Sequence, residues 1–138
     1  MGRRESREEI FRLLFRVEFN SVEEMPQQMA LFFEDMDEND ISKALNDKDR
    51  KYITDKYENV MSHLDEIDEA INKTAEGWDT KRMGKVDLTI IRLAVYEIMF
   101  DEDIPTSVAI NEAVEIAKKY GQDESSGFVN GILAKFAK

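Results

Sequence analysis

No cysteine occurs among the 138 residues of this chain. That absence removes disulfides, cysteine-based zinc sites and thiol catalysis together. A lone histidine, His63, has no second histidine or cysteine to complete a metal site and no visible partners for acid–base work, so an ordinary surface or capping role is expected for it. Two prolines and six glycines are too few for a turn-rich all-β chain or a disordered one. No apolar run approaches the roughly 20 residues needed to cross a bilayer, and the charged amino terminus leads into no signal-peptide-like stretch. A cytoplasmic protein is expected. Positive charge is scarce as well: 19 Lys and Arg stand against 30 Asp and Glu, a formal net charge of −11. Phosphate binding rests on neutralisation by Lys and Arg, so nucleic-acid binding over the whole surface is excluded. A local basic patch remains open, and a strongly acidic surface suits a basic protein partner.

What is present, 42% apolar and 36% charged residues, describes a mostly helical protein with enough chain to bury a core. Ser6-Arg7-Glu8-Glu9 has the spacing of a capping box, and a helix over about Arg7 to Phe19 is expected after it, with Ile10, Leu13, Leu14 and Val17 as the core stripe. Phe11, Phe15 and Phe19 climb the edge of that stripe at i, i+4 spacing, with buried packing favoured over partner contact. Arg12 and Arg16 share the outer face and are read as members of a solvated ion-pair ladder. A second helix is expected from near Pro26, burying Met25, Met29, Phe32, Phe33 and Met36. The acidic run beyond it offers Asp35, Asp37 and Asn39 at calcium-loop spacing. Asp40 stands where glycine is required and Asn46 where a bidentate glutamate belongs, so it is read as a solvated loop. Ile53, Tyr57, Val60, Leu64, Ile67 and Ile71 recur at helical spacing, as one long helix or as two joined near Ser62-His63.

The segment NKTAEGWDTKRMGK breaks the pattern. Trp78 is read as closing the core from this loop, and Lys81, Arg82 and Lys85 as an ordinary surface cluster. Val86 to Phe100 is apolar at nearly every angle and is expected to be the central helix. Arg92 interrupts it and requires a carboxylate partner. The next helix is capped by Thr106 or Ser107, buries Ile110, Ala113, Val114, Ala117 and Tyr120, and stops at Gly121. The last helix, about Glu124 to Ala137, carries Phe128, Val129, Ile132, Leu133 and Phe136 on one arc and Gly127, Asn130, Gly131 and Ala134 on the other. Two interior glycines cost roughly 1 kcal/mol each relative to alanine. Close helix packing is the favoured offset, and close approach of a ligand backbone is the alternative.

The string RLAVYEIMFDEDIPTSVAINEAVEIAKKYGQDESSGFVNGILAK strongly resembles the carboxy-terminal half of the bacterial transcription antitermination factor NusB family. Its most specific elements are Ile104-Pro105, Val108-Ala109-Ile110-Asn111-Glu112-Ala113, Ala117-Lys118 and Phe128-Val129-Asn130-Gly131-Ile132-Leu133. The match is tight after Gly84 and loose between Asn20 and Trp78. The resemblance implies an all-α fold of two small packed helical bundles with about seven helices, the amino-terminal bundle spanning about 1–76 and the carboxy-terminal one about 77–138. It implies binding of boxA-type single-stranded RNA of ribosomal RNA transcripts together with ribosomal protein S10 (NusE), in an assembly that modifies RNA polymerase. It implies no cofactor, no metal and no enzymatic chemistry.

Single-stranded RNA is held by cations on phosphates and by bases stacked on aromatic or Arg planes. By family position, Arg3, Arg4 and Arg7 are expected on phosphates, while Phe128 and Glu124 are expected to border the RNA. Phe15 and Asp87 match positions facing S10, which weakens the plain-core reading of Phe15. The basic segment is diluted by Glu5, Glu8 and Glu9, and Gly127 stands where relatives often carry a basic residue. Weak RNA binding by the isolated chain is therefore expected, with the partner supplying much of the positive surface. Two competing classes are a protein-interaction module without RNA contact and an enzyme-linked module like that fronting ribosomal RNA cytosine methyltransferases. The latter lacks its glycine-rich cofactor loop in this chain. Some members of the family self-associate, so a homodimer stays open beside a monomer.

Overall fold

The computed structural model describes residues 1–39 and 46–137. Among them are seven α-helices and no strand: α1 (Arg3–Phe15), α2 (Met25–Asn39), α3 (Asp47–Ser62), α4 (Leu64–Thr74), α5 (Lys85–Phe100), α6 (Thr106–Tyr120) and α7 (Ser125–Ala134). A 3-10 turn over Arg16–Glu18 follows α1. No helix among the described residues is long and apolar enough to cross a membrane. The chain divides into two compact units, Met1–Asn59 and Val60–Lys138. The division falls earlier than the break at Trp78 suggests, because α4 packs on α5 and so belongs to the second unit.

In the first unit α1 begins at Arg3, a turn before the expected start, and ends at Phe15 rather than Phe19. Ser6 is buried inside it, 3% exposed, so Ser6 and Glu9 form no cap. The reciprocal capping box sits instead at Ser21-Val22-Glu23-Glu24. The Ser21 N–H donates to Glu24 Oε1 at 2.9 Å, and the Glu24 N–H donates to Ser21 Oγ at 3.3 Å. This turn leads the chain into α2, whose Pro26 occupies the first turn, where a missing N–H costs nothing. The Ser21 backbone and hydroxyl bonds hold the Glu24 carboxyl below its ordinary pKa.

Arg16 is no rung of an outer ladder. Its guanidinium donates to the Gln28 carbonyl at 3.1 Å and to Gln28 Oε1 at 3.2 Å, and it lies over the Phe32 ring, which ties the turn after α1 to α2. α2 runs on to Asn39, two residues past Asp37 where the second helix is expected to end, and so takes in the start of the acidic run read as a loop. There Asp35 faces Arg16 at 3.8 Å and Asp37 pairs with Arg50. The rest of that expected loop, residues 40–45, lies outside the described residues. Burial raises the Tyr57 phenol pKa on α3, with the nearby Glu58 charge adding to the effect.

The long apolar pattern after Asp47 resolves into two helices broken at His63, where φ is −110° and ψ 11°. The His63 ring lies against Phe100, 4.1 Å between centroids. In the second unit α5 is buried from Leu88 to Glu97 apart from Arg92, and α4, α6 and α7 all pack against it. Arg92 finds the carboxylate it needs on α4. Its Nε donates to Asp68 Oδ1 and a terminal nitrogen to Asp68 Oδ2, both at 2.8 Å. On α6 the buried ridge is Ala109, Ala113, Ile116 and Ala117, while Ile110, Val114 and Tyr120 are only half-buried. Alanines at i, i+4 and i+8 leave room for close approach of a neighbouring helix, which the larger apolar side chains do not. No side chain caps α6: Pro105 holds the N-cap position, and its carbonyl accepts from the Val108 and Ala109 N–H groups.

Two outcomes follow from these contacts. Asp68→Ala removes the carboxylate that accepts two bonds from a part-buried guanidinium, and it should lower unfolding stability by about 2 kcal/mol. The measurement is a shift of the urea midpoint at unchanged slope; a loss under about 0.5 kcal/mol would mean the pair behaves as a solvated one. Glu24 contributes stability that is present above its unfolded pKa and lost as pH falls through its lowered folded value. Carboxyl NMR should give Glu24 a midpoint below that of an ordinary glutamate, and Ser21→Ala should move it back up.

Candidate recognition groove

The expected site residues fall into two sets. Arg3, Arg4, Arg7 and Phe15 belong to the first unit; Asp87, Glu124 and Phe128 belong to the second. Each set is described within its own unit.

In the first unit Arg3 and Arg4 are exposed in the first turn of α1, whereas Arg7 is buried, 5% exposed. The Arg3 guanidinium lies over the Tyr52 ring of α3, 3.9 Å from its centroid. Lys56, one turn further along α3, donates to the Tyr52 hydroxyl at 3.2 Å and stands 5.3 Å from the same ring. Two cations thus share one aromatic ring, and Lys56 joins a cluster that sequence reasoning drew only from the amino terminus. The signal was present as Tyr52 and Lys56 at i, i+4 spacing. Phe11, Phe15 and Phe19 form a continuous ladder, with centroids 6.1 and 5.1 Å apart. Exposure rises along it, from 3% at Phe11 to 62% at Phe19. Its upper end is an apolar surface, not core.

In the second unit Asp87, Glu124 and Phe128 come together on one open groove of about 1070 Å³, lined by the first turns of α5 and α7, the loop before α5 and the α6–α7 turn. Trp78 and Arg82 belong to the same groove. Trp78 does not close the core: it is 44% exposed, and its ring meets Phe128 edge-to-face, 5.1 Å between centroids at 71°. The Arg82 guanidinium lies 5.5 Å from the Trp78 ring and donates to the Gly77 carbonyl at 3.1 Å. Gly77 takes φ +80°, a conformation L side chains rarely adopt, and this sets the turn from which Trp78 projects.

The α6–α7 turn is tight for a definite reason. A Cβ on Gly121 would lie 2.5 Å from Ser125 Cβ and 2.8 Å from the Ala117 carbonyl. Ser125 in turn accepts the Gln122 N–H at 2.9 Å, which fixes the start of α7 and with it Phe128. The two helical glycines of α7 are different. Gly127 and Gly131 are exposed, and a Cβ on either would meet nothing within 4 Å. The favoured explanation, close helix packing, is therefore overturned, and the open face stays available for close approach from outside the chain. Among the described residues no group of three or more His, Cys, Asp or Glu side chains is placed to hold a metal ion.

Among the described residues the fold is all-helical, with a cationic cluster in the first unit and an aromatic-edged open groove in the second. The NusB family model matches residues 4–138. The transcription antitermination protein NusB of Agathobacter rectalis is 53% identical over 137 residues, covering 99% of this chain and 100% of that protein. Among solved structures, T. maritima NusB superposes with a TM-score of 0.83 at 36% identity, covering 99% of this chain and 91% of that one. A crystal structure of the antitermination factors NusB and NusE in complex with dsRNA matches with a TM-score of 0.77 at 26% identity, covering 97% of this chain and 94% of that one. The chain belongs to the NusB family.

The glycines give opposite expectations. Gly131→Ala should raise stability by roughly 0.5–1 kcal/mol, since it adds helix propensity with no clash. Gly121→Ala should lower it by about 2 kcal/mol, the usual cost of forcing a side chain into packed surroundings. Thermal unfolding of the two variants checks both; a stabilised Gly121→Ala would refute the tight-turn account.

Proposed function

We propose that this protein is an RNA-binding transcription antitermination factor, acting in the cytoplasm on boxA-type single-stranded RNA of ribosomal RNA transcripts together with ribosomal protein S10 (NusE), in the assembly that modifies RNA polymerase. The observation that carries the reading is full-length membership of the NusB family, supported by a solved complex of related NusB with NusE and RNA. The role is binding rather than catalysis. Arg3 and Arg4 take phosphates, with Lys56 adding charge at the Tyr52 ring that Arg3 covers, while Arg7, 5% exposed, is too buried to join them. Phe128 offers a stacking surface and Glu124 borders it. Phe15, with exposed Phe19 continuing its ladder, and Asp87 face the basic partner.

A titration of boxA-type RNA, with and without S10, tests this reading. Affinity should fall steeply with salt, and S10 should strengthen it. Each phosphate contact removed from a single strand lowers the salt slope by about 0.7. The double variant Arg3→Ala with Arg4→Ala should therefore weaken binding and reduce the slope by roughly 1.4. Tight, salt-insensitive binding by the chain alone would contradict the reading. An intact complex with S10 and no RNA affinity would favour a protein-interaction module instead.

A further inference from the structure

Trp78 is large, apolar and 44% exposed, and it is held in that position rather than left loose. Its loop is pinned at several points. The Trp78 N–H donates to the Ala75 carbonyl at 3.0 Å, the Thr80 N–H to Asn72 Oδ1 at 2.8 Å, and the Arg82 N–H to Asp79 Oδ1 at 3.0 Å. Arg82 adds its bond to the Gly77 carbonyl and its stack on the indole. Turning the indole fully inward would bury more apolar area, yet the loop holds nearly half of it in water. The ring it meets, Phe128, stands nearly perpendicular, so the two make a corner with an open angle on the groove.

Charge decides what enters that corner. The groove carries two cations, Arg82 and Lys85, against three carboxylates, Asp87, Asp123 and Glu124. Arg82 is already engaged with the indole and the Gly77 carbonyl. These side chains, with a net charge of −1, give a phosphate no surplus of cations to pair with, and the aromatic corner suits an uncharged planar group. Resting on the RNA-binding function given above, we propose that Trp78, with Phe128, receives one splayed nucleobase of the bound single strand by stacking, with no phosphate contact in the groove. Arg82 acts as a positioning residue that holds the indole for this role. Cations elsewhere on the chain and on the partner hold the backbone; the corner holds a base.

Trp78 is the only tryptophan of the chain, so its emission reports directly on the event. The full chain is titrated with a boxA-type RNA carrying a terminal dye, reading anisotropy of the dye and tryptophan emission together. Binding should quench Trp78 in step with the anisotropy change. Trp78→Ala should weaken binding about 5- to 150-fold with an unchanged salt slope, the range expected for losing one stacked base. Trp78→Phe should keep most of the affinity, which a purely structural role for the indole loop would not require, and circular dichroism confirms that both variants fold. RNA that binds the wild-type chain without altering its emission would overturn this inference and leave the antitermination function standing; so would a folded Trp78→Ala of undiminished affinity. Failure of the wild-type chain to bind RNA, alone and with S10, would overturn both.

Discussion

Helix α5 can be surrounded only if the charge in its middle has somewhere to go. An unpaired guanidinium in low dielectric costs several kcal/mol, more than most single contacts return. The two parallel bonds from Arg92 to Asp68 meet that requirement and fix α4 beside α5. With α4 placed, the loop running from Ala75 to Gly84 is suspended between two anchored helices, and Trp78 emerges from it. α6 also packs on α5, and the Gly121–Ser125 contact turns the chain directly into α7. Both rings of the aromatic corner are thus set by what α5 demands of its neighbours.

Much of this was legible from residue order. A helix apolar at nearly every angle must lie inside, and α5 does; Arg92 needed a carboxylate, and Asp68 supplies it. The break at His63 was one of two readings the periodicity allowed. What was misread has a common physical origin. The area an aromatic buries points Trp78 inward, yet whether a loop residue turns in or out depends on hydrogen bonds to Asn72, Asp79 and Gly77 that no periodicity announces. The same holds for the capping boxes. Ser6-x-x-Glu9 and Ser21-x-x-Glu24 carry the same spacing, and only the chain's path decides that the first lies inside a helix and the second at a start. Gly127 and Gly131 are costly in any helix, but composition alone does not separate a glycine that admits a neighbouring helix from one that faces open space.

On the proposed function, a chain of formal charge −11 must approach another polyanion. At physiological salt the Debye length is about 8 Å, so carboxylates more distant than that are largely screened from an exposed cation cluster. Short-range contacts then decide the outcome, and they are of two kinds with different salt dependence. Cation–phosphate contacts weaken as salt rises because they release counterions, whereas stacking of a base on an aromatic ring is close to salt-independent. Before contact, however, the net charge still slows encounter, and nothing in stacking repairs that. A basic partner does, since it reverses the sign of the field along the approach and raises the association rate. Exposed Phe19, at the end of the ladder that half-buried Phe15 continues, would offer such a partner an apolar foothold, and the surplus of carboxylates would offer it charge complementarity. On the proposed function, the acidity that should weaken RNA binding by the chain alone is therefore the property that suits it to bind RNA in company.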